Sequence, residues 1–169
     1  GMILILASHG FTLTFNLSHV TRDIRDEPVT PNYDTAYDFI ASHSSMDDAF
    51  LATKTDVAYF FLAGRPIYWL MSNPLEISEG GRIKDGKMTH YITGCQLISN
   101  LSDFIEVMKA HRNGWVIIPW FHEGPWSIDE ELLAFIKDSL ELEQAASDQT
   151  IKVYRWTAIS INLRTSPSS

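Results

Sequence analysis

The sequence predicts an α/β domain of the three-layer, Rossmann-like type, with a mostly parallel sheet and helices on both faces. Short apolar runs of strand length alternate along the chain with amphipathic segments of ten or more residues, and this alternation is typical of βαβ units. The run "WVIIPWF" is continuously apolar, as expected of a strand covered on both faces. In folds of this class, ligands bind beyond the carboxyl ends of the strands.

Length and composition fit one globular domain. The chain has 169 residues, 45% of them hydrophobic and 20% charged, which is enough to build a core. Its 13 basic and 21 acidic residues give a net charge of -8. This argues against a nucleic-acid partner or an anionic membrane surface, because both require a positive patch. The single cysteine, Cys95, excludes an internal disulfide and a cysteine-based zinc site.

The sequence divides into three predicted segments. Residues 1–32 are an N-terminal segment, interpreted either as a strand and loop of the domain or as the stub of a membrane helix. Its apolar start is interrupted by polar residues, so no membrane span is predicted in this chain. Residues 33–158 form the Rossmann-like domain. Residues 159–169, which end in "RTSPSS", form a C-terminal tail.

The first elements of the domain follow from capping residues and apolar spacing. Asp34 or Thr35 can cap a helix that carries Ala36, Phe39 and Ile40 on one face. "DAFLAT" then has the length and composition of a strand. "VAYFFLAG" is predicted to be a helix and "PIYWLM" a strand.

The second half of the domain repeats the alternation. Gly64 is predicted to end the preceding helix in a left-handed conformation, and "SNPLEISEGGRIKDGKMT" is predicted to be a loop because of its glycines. "HYITGCQLI" is predicted to be a strand. Asn100 or Ser102 can cap the next helix, and Ser127 the helix in "SIDEELLAFIKDSLELEQAA". "IKVYRWT" is predicted to be the last strand.

The loop "PWFHEGPW" is the first candidate site. It follows the apolar strand and precedes a helix, where ligand-facing loops of α/β domains lie. His122 and Glu123 in it could provide acid–base chemistry, since burial can raise the pKa of a carboxyl group. The alternative is that Trp120, Phe121 and Trp126 cover the edge of the sheet while His122 and Glu123 remain solvated.

The segment "GRPIYWL" is the second candidate site. Arg65 could pair with a carboxylate or phosphate, or stack on Tyr68 or Trp69. Aromatic faces beside polar groups also suit sugar rings, whose C–H faces are apolar. The alternative is that an arginine packed over aromatic rings closes an edge of the core, and the spacing alone does not decide between the two.

Known cofactor and catalytic motifs are missing from the sequence. It has no Gly-x-Gly-x-x-Gly, no Walker loop and no Gly-x-Ser-x-Gly elbow. No two of its six histidines are spaced i, i+4, as the ligands of a helical zinc site would be. We therefore predict no cofactor, no metal and no catalytic signature.

Several motifs, in a fixed order, resemble those of a known family. "GRPIYWL" is followed by "YITG", then "GWV" and finally "VYRW". This order resembles the soluble C-terminal domain of membrane glycosyltransferases similar to dolichyl-phosphate-mannose–protein mannosyltransferases, over about residues 33–157. The matching positions are Asp48, Tyr59, Gly64, Arg65, Tyr68, Trp69, Tyr91, Thr93, Gly94, Leu101, Gly114, Trp115 and Trp156.

The resemblance implies a non-catalytic accessory domain on the extracytoplasmic face of a membrane. In that family the catalytic acidic residue lies in a loop between membrane helices, and nothing in this chain matches that portion. The expected partners are a sugar or lipid-linked sugar, an acceptor, or the membrane portion of the enzyme. The expected binding residues are Arg65, Tyr68 and Trp69 as one wall and Tyr91, Thr93, Gly94, Trp120 and His122 as others.

Two alternative functions belong to different classes. The chain could be a small soluble hydrolase or acid–base enzyme that uses His122 and Glu123. It could also be a structural or protein-interaction domain, with the acidic helix "DEELLAFIKDSLELE" as its contact face. A pocket joining His122 to Arg65 would favour the enzyme, and an exposed apolar stripe on the helix would favour the interaction domain.

Overall fold

The computed structural model describes residues 30–158, and all structural statements below concern this part of the chain. In chain order its elements are α1 (Tyr33–His43), β1 (Ala49–Ala52), α2 (Thr55–Phe61), β2 (Ile67–Leu70), α3 (Pro74–Gly80), β3 (Gly81–Lys84), β4 (Lys87–His90), β5 (Gln96–Ile98), α4 (Leu101–Ala110), β6 (Gly114–Pro119), a 3-10 turn (Trp120–His122), α5 (Glu130–Ser139), β7 (Glu141–Leu142) and β8 (Ile151–Trp156).

The strands of this part form one sheet in the order β3-β4-β5-β2-β1-β6-β8-β7. The four central strands, β5, β2, β1 and β6, are parallel to one another. The remaining pairings are antiparallel. The predicted α/β class is therefore confirmed, but the sheet is mixed rather than mostly parallel. The antiparallel pairings lie on either side of the four central strands. On one side the hairpin of β3 and β4 pairs with β5, and on the other side β8 pairs with β6 and β7.

Two apolar clusters share the residues of β1. Ala49 and Leu51 pack in a cluster with residues of α4 and α5, whereas Phe50 and Ala52 pack in a second cluster with residues of α1 and α2. Successive side chains of a strand point to opposite faces, so each face of β1 belongs to one cluster. Every residue of β6 is buried as well, which confirms the prediction made from its continuous apolar run.

The segment predicted as a loop between β2 and β5 contains regular structure, so that prediction is wrong. Helix α3 begins at Pro74 and is capped by Asn73, whose side chain accepts hydrogen bonds from the next turn. Strands β3 and β4 form a hairpin whose turn is Asp85 and Gly86, both with positive φ. Asp-Gly is a preferred pair in such two-residue turns, and Pro is favoured in the first turn of a helix.

Helix ends agree with the predicted residues in part. The cap of α4 is Asn100, as predicted, and Gly64 has a φ of 84°, as expected of a left-handed stop. Helix α1 is capped by Asn32 rather than by a residue within it. Helix α5 is capped by Asp129, two residues beyond the predicted Ser127, because the chain makes a further turn before the helix begins.

The predicted N-terminal segment, up to residue 29, and the tail, 159–169, lie outside the described residues. Within residues 30–158, none of the helices combines the length and the apolar character that crossing a bilayer requires.

Candidate functional site

Three parallel strands end at one edge of the sheet. The chain leaves β1 at Thr53, β2 at Met71 and β6 at Trp120. Because β1, β2 and β6 are parallel, the residues after them meet at the same edge. We call this the carboxyl edge and define it by residues 53–56, 71–76 and 120–129.

Ser72 joins the elements that meet at the carboxyl edge. Its backbone N–H donates to the carbonyl oxygen of Ser127 at 2.8 Å. Its hydroxyl donates to the carbonyl oxygen of Ser99, after β5, at 2.6 Å and accepts from the N–H of Asp129 at 2.8 Å. The loop that follows β6 is therefore bonded to the ends of β2 and β5.

His122 is buried at this edge and is only 4% exposed. Its ring lies edge-on to Phe121 and Trp126, with centroid separations of 4.6 and 6.3 Å. The nearest carboxylate oxygen is Oε2 of Glu76, 3.8 Å from Nε2. Burial, with a smaller contribution from Lys54, lowers the pKa of His122 to about 4. The imidazole is therefore neutral at neutral pH.

Glu123 does not act on His122. Its carboxylate forms an ion pair with Lys137 of α5, with Oε1 and Nζ 2.9 Å apart. His122 and Glu123 are adjacent in sequence but have separate partners, because the 3-10 turn places His122 inward and Glu123 toward α5.

Buried polar atoms without a hydrogen-bond partner concentrate at the carboxyl edge. In the described part of the chain, five buried side-chain atoms lack one, and three of them are Oγ1 of Thr53, Nδ1 of His122 and Oγ of Ser127. Leaving a buried donor or acceptor unpaired costs about 1–3 kcal/mol. Buried polar atoms of this kind are few in folded proteins, so three of them at one edge single it out.

Two tryptophans of the carboxyl edge are exposed at the surface. Trp126 is 58% exposed and Trp120 is 45% exposed. The indole of Trp126 packs against the backbone of Gly124, where an added Cβ would lie 2.6 Å from Nε1. The absence of a side chain at Gly124 therefore lets the indole lie flat against the chain.

Thr93 is also brought to the carboxyl edge. Its hydroxyl donates to Oγ1 of Thr55, at the start of α2, at 3.2 Å. The hydroxyl oxygen of Thr93 also lies 3.2 Å from Nδ1 of His90. Burial lowers the pKa of His90. Gly94, with a φ of 72°, shapes this turn between β4 and β5.

Arg65 lies at the opposite end of the strands. It precedes β2, and its guanidinium donates to the hydroxyl of Ser44 and lies over the ring of Phe50, 5.5 Å from the centroid. We call this end, residues 44–48, 65–66 and 110–114, the amino edge. Arg65 and His122 are therefore at opposite edges of the parallel strands.

The predicted wall of Arg65, Tyr68 and Trp69 is not formed. Tyr68 and Trp69 are consecutive strand residues, so their side chains point to opposite faces of the sheet. Trp69 is 3% exposed and packs in a third apolar cluster with Met71 and Cys95. Tyr68 instead bonds to Nε2 of His111, with the phenol oxygen 3.0 Å away.

The amino edge carries a groove of about 440 Å³, and two of its polar side chains, His111 and Asp48, are bonded within the chain. It is lined by Ser45, Asp47, Asp48, Pro66, Ala110, His111, Arg112 and Asn113. The ring of His111 is bonded at both nitrogens, since Nδ1 donates to the carbonyl oxygen of Asp47 at 3.1 Å and Nε2 accepts from Tyr68. The imidazole of His111 is therefore already engaged within the chain.

Asp48 shows the same saturation. Its carboxylate accepts from the hydroxyl and the N–H of Ser45, at 2.7 and 3.2 Å, and from the indole N–H of Trp115 at 3.2 Å. Burial alone would raise the pKa of Asp48, but the hydrogen bonds from Ser45 and Trp115 outweigh it and hold the pKa below its usual range.

Sequence reasoning identified His122 but missed Thr53 and Ser127 as members of the site. Thr53 directly follows a predicted strand, so the rule that places ligands beyond the carboxyl ends of strands could have found it. Ser127 was interpreted only as a helix cap. Its unpaired hydroxyl depends on Asp129 taking over that role, which the sequence pattern does not determine.

The chain matches no protein-family model, no curated protein and no solved structure. The resemblance to the C-terminal domain of membrane glycosyltransferases therefore stays a prediction. Fold and site together define an α/β domain with a mixed sheet and three buried, unpaired polar atoms at its carboxyl edge.

Proposed function

We propose that this chain is a non-catalytic, ligand-binding accessory domain of, or related to, a membrane glycosyltransferase, and that it binds its ligand at the carboxyl edge. The observation that carries the binding role is the set of buried, unpaired atoms of Thr53, His122 and Ser127. The link to a glycosyltransferase, the extracytoplasmic location and a contact with the membrane portion rest on the sequence resemblance.

The order of the parallel strands supports this position for the site. From β1 the chain continues to β2 and β5 on one side, then returns to place β6 on the other side. The point between β1 and β6 is where the winding direction reverses, and such a reversal opens a crevice at the carboxyl ends. With the two apolar clusters, this order also supports the three-layer, Rossmann-like description, which is part of the proposal.

Binding is better supported than acid–base catalysis. A general base works best with a pKa near the operating pH, whereas the pKa of His122 is about 4. The carboxylate of Glu123 is held by Lys137. The geometry thus offers neutral hydrogen-bonding groups rather than a poised base.

The protein-interaction alternative loses its proposed surface. The apolar residues of α5, among them Leu132, Leu133 and Ile136, are buried in the cluster with α4. The inner face of this helix is therefore occupied by the domain's own core, and the outer face is polar.

A comparison of two variants tests the proposal. Wild-type chain, Trp126→Ala and Arg65→Ala are titrated with methyl α-D-mannopyranoside, mannose 1-phosphate and a Ser/Thr-rich peptide, with binding followed by NMR. We expect at least one probe to bind, Trp126→Ala to weaken it about 10-fold because it removes a contact surface at the carboxyl edge, and Arg65→Ala to leave it unchanged.

Two results would contradict the proposal. Loss of binding in Arg65→Ala with unchanged binding in Trp126→Ala would move the site to the amino edge. No binding of any probe to the wild-type chain would remove the ligand-binding role.

A further inference from the structure

We infer that the ligand of the carboxyl edge is an uncharged, hydroxyl-bearing ring, a single glycosyl unit, and that the site does not recognise phosphate. This inference rests on the proposed binding function and selects one of its ligand classes. It is argued from the charges, the hydrogen-bonding groups and the aromatic surface at this edge.

The charges at the carboxyl edge disfavour an anion. Lys54 is close to His122, and its Nζ lies over the ring of Phe121, 5.9 Å from the centroid. Lys137 is paired with Glu123. The acidic side chains of this edge are Asp56, Glu76, Glu123 and Asp129. A phosphate group would therefore meet more carboxylates than cations, whereas phosphate sites are built from charge-assisted donors.

The N-terminus of α5 is also closed to an anion. It is capped by Asp129, whose Oδ1 accepts from the N–H of Leu132 at 3.1 Å. This carboxylate already occupies the place at which a phosphate would receive backbone N–H groups. At α5, this way of holding phosphate is thus used by the chain itself.

The unpaired groups match sugar hydroxyls. Thr53 and Ser127 offer hydroxyls that both donate and accept, and the neutral imidazole of His122 offers one nitrogen. Sugar hydroxyls likewise donate and accept, so each can satisfy either kind of group. All three atoms are buried, so the inference includes a local movement that opens them to the ligand.

Trp126 supplies the apolar surface that a sugar ring needs. One part of its indole is supported by Gly124 and the rest is exposed. Its ring lies 6.3 Å from that of His122 at an interplanar angle of 68°. A sugar ring whose C–H face lies on this indole would therefore sit beside the imidazole, with its hydroxyls toward the polar groups.

The experiment compares neutral and charged probes on the wild-type chain. Methyl α-D-mannopyranoside, methyl β-D-glucopyranoside, mannose 1-phosphate and inorganic phosphate are titrated at about 50 and 500 mM salt, and the indole N–H signals are followed by NMR. We expect at least one glycoside to shift the Trp126 signal with the same Kd at both salt concentrations. We expect mannose 1-phosphate to bind no more tightly and inorganic phosphate not to bind.

Two variants locate the effect without disturbing the core. Trp126→Ala removes the platform, and Gly124→Ala displaces the indole, so each should weaken glycoside binding about 10-fold. The matched control is Phe60→Ala, which removes a different, highly exposed aromatic ring that lies on α2. This variant should bind as the wild type does. Unchanged glycoside binding in both Trp126→Ala and Gly124→Ala would overturn the inference.

The remaining outcomes separate this inference from the proposed function. Tighter, salt-sensitive binding of mannose 1-phosphate or of inorganic phosphate would overturn the inference and leave a ligand-binding domain. Binding of the Ser/Thr-rich peptide alone would do the same. If no probe of any class binds, both the inference and the proposed function are wrong.

Discussion

The two edges of the parallel strands treat their polar groups in opposite ways. At the amino edge, Asp48 accepts three hydrogen bonds and His111 is bonded at both ring nitrogens. At the carboxyl edge, Thr53, His122 and Ser127 each bury an atom without a partner. The groove of about 440 Å³ lies at the amino edge, where the side chains of Asp48 and His111 are already bonded. The two edges therefore differ in whether their buried polar side chains find hydrogen-bond partners within the chain.

Close packing accompanies the saturated hydrogen bonds at the amino edge. Gly114 begins β6 there, and an added Cβ would lie 2.0 Å from the indole of Trp156. Trp156 is itself buried and donates from Nε1 to the carbonyl oxygen of His111 at 3.2 Å. Position 114 thus has no room for even a small side chain, whereas the carboxyl edge exposes two tryptophans.

The largest effect is expected from Asp48→Ala at the amino edge. The variant leaves the buried indole N–H of Trp115 and the N–H of Ser45 without an acceptor, so the free energy of unfolding should fall by about 3 kcal/mol. Urea denaturation measures it. Asp47→Ala, an exposed neighbour, is the control and should change stability by less than about 0.5 kcal/mol. A loss below about 1 kcal/mol for Asp48→Ala would show that this edge does not depend on the network.

A somewhat smaller effect is expected from acid at the carboxyl edge. The pKa of His122 is about 4 in the folded chain and about 6.5 in an unfolded one. Between these values the unfolded chain binds the extra proton, so stability falls as the pH is lowered from about 6.5 to about 4, by roughly 2 to 3 kcal/mol. Urea denaturation across this range measures the slope.

His122→Gln serves as the control for the acid effect, because the amide does not titrate. Its stability should vary less over the same pH range, by roughly the contribution of one histidine. Equal slopes in the wild type and His122→Gln would mean that the imidazole is not held neutral, and the contrast between the edges would lose its electrostatic part.

The smallest effect separates two neighbouring threonines of the carboxyl edge. Thr53→Val removes a hydroxyl with no partner, so stability should stay the same or rise by up to about 1 kcal/mol. Thr55→Val removes the acceptor of the Thr93 hydroxyl and should lower stability by about 1 kcal/mol. Thermal or urea unfolding of both variants measures the difference. Equal losses in the two would show that Thr53 is bonded, and the carboxyl edge would then resemble the amino edge.

Much of the fold follows from local sequence. The alternation of apolar runs and amphipathic segments predicts the α/β class because strand and helix periods differ. The Asp85-Gly86 pair is also a local signal, and the hairpin it forms could have been predicted. The direction of β8 could not, since "IKVYRW" presents the same alternation whether it pairs with a parallel or an antiparallel neighbour.

The candidate site was predictable only in part, and for different reasons at each residue. The position of Arg65 before a strand already places it away from the carboxyl ends, and the period of two already separates Tyr68 from Trp69. The burial of His122 depends on a 3-10 turn after β6. Whether the hydroxyls of Thr53 and Ser127 find hydrogen-bond partners depends on which neighbours reach them in three dimensions. A single sequence does not encode this locally.

The position of β6 between β1 and β8 has a consequence for how the protein is made. β6 pairs with a strand from near the start of the described part and with β8, whose register runs from Gly114 opposite Trp156 to Pro119 opposite Ile151. During synthesis the apolar strand β6 therefore lacks its partner on one side until residue 156 has left the ribosome. Such late, non-local pairing slows folding, and it leaves the unpaired N–H and C=O groups of β6 open to pairing with other nascent chains. Chaperone demand should accordingly be greatest just before β8 emerges.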